Sequence, residues 1–186
     1  MRPLLAVLSA TVTAGGTPAA PAPTVAIPNA ASSLPPLTTC SGQLDLAAPV
    51  PVQLRALRCS VNWARRLDGR RKLHHSHLLD RSALVRARSI RRCRSFSHTP
   101  CGQSFIAVFE RVGYLKRAGE VGENLYCGAG SDGTARTTLH EWLISPEHRS
   151  NLLFAWRDFG AALIKSPGIC GAGDASIWVM DFGRRG

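Results

Sequence analysis

The sequence predicts an α+β domain. Three observations carry that expectation: apolar residues recur at helical spacing through the first half, strand-like runs appear in the second half, and no regular β-α-β alternation links them. Leu54, Leu57, Val61 and Ala64 share one helical face, with Gly69 as the stop. Ser76 suits the N-cap of a second helix, whose apolar stripe is Leu79, Ala83, Ala87 and Ile90. Phe105, Phe109 and Val112 mark a third helix ended by Gly113, and residues 120–127 read as a strand. A fourth helix over 134–144 turns Ala135, Leu139, Trp142 and Leu143 inward. Two strands close the chain, "FGAALI" from Phe159 and "IWVMDFG" from Ile177. The Gly-rich "KSPGICGAGDAS" between them suits a hairpin loop, so the sheet is expected to be small and antiparallel.

A chain of 186 residues with 45% hydrophobic content builds one domain and a tail. Residues 1–14 read as a signal peptide: Arg2 precedes an apolar run from Leu4 to Val12, and Val12-Thr13-Ala14 is a small-residue cleavage signal. Residues 15–53 follow as a Pro/Ala-rich linker and N-terminal segment, and 54–186 form the domain. No other apolar run is long enough to span a bilayer, so the mature chain is expected to be secreted, or held at the cell envelope, without a transmembrane segment. Six cysteines, Cys40, Cys59, Cys93, Cys101, Cys127 and Cys170, suit up to three disulfides in an exported chain. Fifteen pairings are open, and pairing in chain order is the working choice.

The net charge of +11 is concentrated: residues 55–94 hold thirteen of the 23 Lys and Arg residues. An anionic partner is conceivable there, a cell-envelope polymer or lipid headgroups, although solvated helix faces explain the same count. Nucleic acid is not expected, because no aromatic side chains interleave with the arginines. "GAGSDG", Gly128 to Gly133, imitates a dinucleotide loop but lacks a parallel β-α-β unit and its acid, so no nucleotide cofactor is expected and a flexible loop is. "HEWLI" from His140 puts Ile144 where a zincin has its second histidine.

"SPEHRSNLL" begins as an ordinary helix: Ser145 as N-cap acceptor, Pro146 in the first turn, Glu147 at the positive end of the dipole. His148 there is kept neutral, the form that coordinates metals or exchanges hydrogen bonds. With His98 in "SFSHTPCG" and Glu123 in "VGENLYCG", it makes a set suited to zinc or another divalent ion with an open position. Periodicity alone does not bring the three together.

The fragments "CSVNWARRLDGRRKL", "SFSHTPCG", "RVGYL", "GENL", "EWLISPEHRSNLL", "FGAAL" and "WVMDFG" stand in the order of the CAP superfamily of cysteine-rich secretory, antigen 5 and pathogenesis-related proteins. The chain resembles its bacterial SCP-like branch from about Leu54 to Gly183. That resemblance implies a three-layer α-β-α sandwich with a surface cleft receiving His98, Glu123 and His148. The second acid that fuller members carry shortly after the helix tryptophan is missing after Trp142, where Glu141 and Glu147 only flank the place. Three functions follow. The first is a secreted protein that binds a divalent metal, a small ligand or an envelope polymer in the cleft, without established catalysis. The second is a metal-dependent hydrolase of peptide or cell-wall substrates with Glu123 as general base. The third is a structural polar cluster with function on the basic helices. Oligomeric state is not legible.

Overall fold

Strand β1, Leu8–Thr13, precedes the first long helix, α1, Val50–Leu67. A two-residue strand β2, His74–His75, leads into α2, His77–Cys93, and a short α3, Ala107–Arg111, comes next. Then follow β3 (Gly119–Ala129), α4 (Ala135–Ile144), α5 (Pro146–Leu153), β4 (Asp158–Pro167) and β5 (Asp174–Arg185). The computed structural model describes residues 8–13, 30–116, 119–170 and 173–185.

Local chemistry explains most boundaries. Ser76 accepts the amide of Leu79 and so caps α2, Thr134 does the same for Thr137 in α4, and Gly69 and Gly113 take positive φ after α1 and α3. The strands join in the order β1-β3-β5-β4-β2. All neighbours are antiparallel except β2 and β4, which are parallel, so the sheet is mixed rather than wholly antiparallel.

Alternation along the strands divides the core. Tyr126, Phe159, Ala161, Trp178, Met180 and Phe182 pack against α1, α4 and α5. Val121, Leu125, Cys127, Ala162, Ile177 and Val179 face α2 and α3 instead, with Ala83, Ala87, Ile90, Val108 and Phe109. The result is an α-β-α sandwich. Gly160 permits the close approach of α2: a Cβ there would lie 2.2 Å from the amide nitrogen of Asp80.

Disulfides join Cys40 to Cys59, Cys93 to Cys101 and Cys127 to Cys170, the chain-order pairing. Their sequence separations of 19, 8 and 43 residues correspond, in the chain-entropy picture, to about 3, 2.5 and 4 kcal/mol.

Two observations add to the reading of the N-terminal part, and two sequence expectations change. The packed unit reaches back to Ala30, ahead of the expected start at 54: a 3-10 turn at Ala30–Ser33, buried Cys40 and buried Gln43 sit against α1 and α4, and Arg136 donates to Pro35 O and Gln43 Oε1. Residues 15–29 of the expected linker, and Ala14 at the expected cleavage point, lie outside the described residues. Within the expected signal peptide, Leu8–Thr13 pairs as an edge strand on β3, with Ala10 opposite Glu123. "GAGSDG" is a tight 3-10 turn rather than a flexible loop, since Tyr126 donates to Asp132 O and Trp178 to Gly133 O. Finally, the basic segment is not all solvated. Arg65 and Arg86 are 1% and 0% exposed, and Arg65 donates to Arg71 O, Leu152 O and Phe154 O, tying down the end of α5. Burial, and then the neighbouring Arg70, lowers its pKa to about 10.

Candidate functional site

The α2 side of the sheet carries buried charge at one place. Glu123 on β3 stands directly opposite Asp181 on β5, and both side chains are fully buried. Helix α2 presents Ser82 and Arg86, one turn apart, to that pair. Arg86 Nε donates to Glu123 Oε2 at 2.9 Å and its Nη2 to Phe105 O at 2.7 Å, while Ser82 Oγ donates to Asp181 Oδ2. His98 arrives from the loop that the Cys93–Cys101 disulfide closes, and its Nδ1 lies 2.7 Å from Glu123 Oε1.

This geometry assigns protons. Both oxygens of Glu123 are acceptors, so Nδ1 of His98 carries the hydrogen in the contact between them. Burial first, and then the adjacent Glu123 carboxylate, pushes Asp181 well above the usual carboxylate range, against the opposing hydrogen bond from Ser82 and the charge of Arg86. Arg86 thus pairs with one carboxylate, Glu123, while the surroundings of Asp181 favour its protonated form. Around this cluster, Arg86 Nη1, His98 Nε2 and Asp181 Oδ1 are buried without a hydrogen-bond partner among the described residues.

His148 belongs to the opposite layer. Its backbone carbonyl accepts from Asn124, the residue after Glu123, and Asn151 ties α5 to Glu123 O and Asn124 Oδ1. Ser145 Oγ lies 2.7 Å from His148 Nδ1; that hydroxyl serves the imidazole and does not cap the helix, contrary to the N-cap expectation. His148 is fully buried. The structure therefore joins His98 to Glu123 directly and holds His148 to the next residue of β3 from the other face.

The three side chains do not converge into a compact donor set: among the described residues the His, Cys, Asp and Glu group whose ligand atoms all lie within 4.8 Å is His75, His77 and Asp80. Glu123 fits as the carboxylate that orients a histidine, each of its oxygens accepting one hydrogen bond. The open acceptor is Nε2 of His98.

Sequence reasoning missed Arg86, Asp181 and the "HHSHLLD" cluster. A signal for the first two existed: Arg86 falls within the apolar stripe of α2, and Asp181 interrupts an apolar strand.

Comparison with known proteins agrees with this architecture. Residues 60–182 match the cysteine-rich secretory protein family, CAP. The chain belongs to this family. No curated protein gives a significant sequence match. Among solved structures, an outer surface protein of Borrelia burgdorferi is 19% identical with a TM-score of 0.60, covering 72% of this chain and 93% of that one. An extracellular SCP-domain protein of Bacillus anthracis is 19% identical at 0.59, covering 73% of this chain and 41% of that one. A cysteine-rich secretory protein of Staphylococcus aureus is 18% identical at 0.54, covering 75% and 41%. At such identities the likeness establishes a shared CAP fold. Among the described residues no helix is long and apolar enough to cross a membrane.

Proposed function

We propose that this CAP protein is an exported binding protein that takes a polar small molecule or a segment of cell-envelope polymer at His98. The observation that carries this is Nε2 of His98, buried without a hydrogen-bond partner among the described residues and aimed by the Arg86–Glu123 pair. A folded protein rarely leaves such an atom unpaired unless water, an ion or a ligand group meets it. The neighbouring Arg86 Nη1 adds a donor, so the ligand brings an acceptor for the guanidinium and a donor for the imidazole. Three disulfides and the leader-like residues 1–14 support export.

The test is cosedimentation of the purified protein with bacterial cell-wall material. His98→Ala is expected to weaken retention at least tenfold while the melting temperature stays within a few degrees. Equal retention by the two proteins would overturn the reading.

A further inference from the structure

We propose that His75, His77 and Asp80 form a binding site for a divalent transition metal of the zinc class, separate from the His98 cluster. His75 Nε2 lies 2.5 Å and His77 Nδ1 3.6 Å from the same oxygen, Asp80 Oδ2, and the three ligand atoms all lie within 4.8 Å of one another. Tetrahedral zinc with bonds near 2.1 Å needs donor atoms about 3.4 Å apart. An opening of about 1 Å at His75, whose side chain is 35% exposed, meets that spacing.

The fold builds this arrangement. His75 ends β2, which pairs with β4, and Ser76 caps α2, so the chain turns sharply between the two imidazoles. Their rings come to 4.7 Å between centroids at 65°, both facing Asp80 one turn into α2. Asp80 is held by its other oxygen: Oδ1 accepts the Ala161 amide at 2.9 Å and Arg58 at 3.2 Å. One oxygen is fixed by the sheet, and the other is left to the histidines. This is the outer support that metal-binding carboxylates need. Strand alternation directs His74 to the opposite face from His75, so it is not a ligand.

Two imidazoles and one carboxylate select zinc, copper or nickel over calcium and magnesium, which require oxygen donors. All six cysteines are in disulfides, so no thiolate competes. Solvent completes the coordination, because the His77 side chain is 89% exposed. A metal there links the edge strand β2 to the start of α2.

The experiment is zinc titration by calorimetry on the full chain, produced without a polyhistidine tag, alongside thermal unfolding with and without zinc. Wild type is expected to bind one equivalent and to melt at a higher temperature with zinc. His77→Ala and His75→Ala are each expected to weaken binding at least tenfold and to abolish the thermal shift. The exposure of His77 ensures that its substitution leaves the fold intact. His98→Ala is expected to bind zinc as wild type does. Absence of binding at millimolar zinc, undiminished binding in His77→Ala, or loss only in His98→Ala would each overturn the proposal.

Discussion

The two faces of the sheet are made by the same strands and do opposite things. Toward α1, α4 and α5, β5 offers Trp178, Met180 and Phe182; toward α2 it offers Ile177, Val179 and then Asp181, which meets Glu123, Ser82 and Arg86. One face is an aromatic core whose polar tips are satisfied, as when Trp142 donates to Leu125 O and Trp156 to Asn151 O. The other buries an ion pair and a second acid whose surroundings favour its protonated form, an arrangement with weak net stability that suits a site. The buried acids lie on one face and the large aromatic core on the other, alternating along the same strands.

The largest effects should separate these faces by what rescues them. Arg86→Leu strands Glu123 beside Asp181 without a cation and is expected to cost about 3–5 kcal/mol. Phe182→Ala is expected to cost about 3–5 kcal/mol through the cavity it leaves. A double-mutant cycle read by urea unfolding distinguishes them: Glu123→Gln is expected to recover much of the Arg86→Leu loss and none of the Phe182→Ala loss. Equal recovery in the two backgrounds would break the contrast drawn between the faces.

Gly160→Ala drives a Cβ into the backbone of α2 and is expected to cost about 1–3 kcal/mol by thermal unfolding. It should also weaken zinc binding, since Asp80 moves with the helix. Asp181→Asn sharpens the electrostatic reading. A carboxyl whose pKa is raised by folding contributes stability fully below its unfolded value, near about 3.9, and loses it as pH rises through the folded value. Wild-type stability should therefore fall toward alkaline pH, and the variant should lose most of that slope. The smallest effect expected is Ser145→Ala, about 1 kcal/mol, because it removes one hydrogen bond to His148.

The helices were legible because their stripes are apolar and regular: Leu79, Ala83, Ala87 and Ile90 are all fully buried, as their spacing predicts. The last hairpin was legible for a similar reason, with a Gly-rich connection between two apolar runs. β2 was not, since two histidines carry no strand period. The site was half legible. His98 and Glu123 are in contact, yet the arginine that balances Glu123 is not recognisable among the other basic residues, because composition does not distinguish a buried guanidinium from a solvated one. Asp181, opposite Glu123, comes from a strand far away in sequence.

The Cys93–Cys101 bond has a consequence in time. It closes the eight-residue interval that contains His98, between the end of α2 and the turn at Pro100–Gly102. Until that bond forms, the imidazole lacks the anchored loop that sets it against Glu123. Reduction of this bond is therefore expected to loosen His98 from Glu123 while the Arg86–Glu123 pair, held by α2 and β3, stays in place.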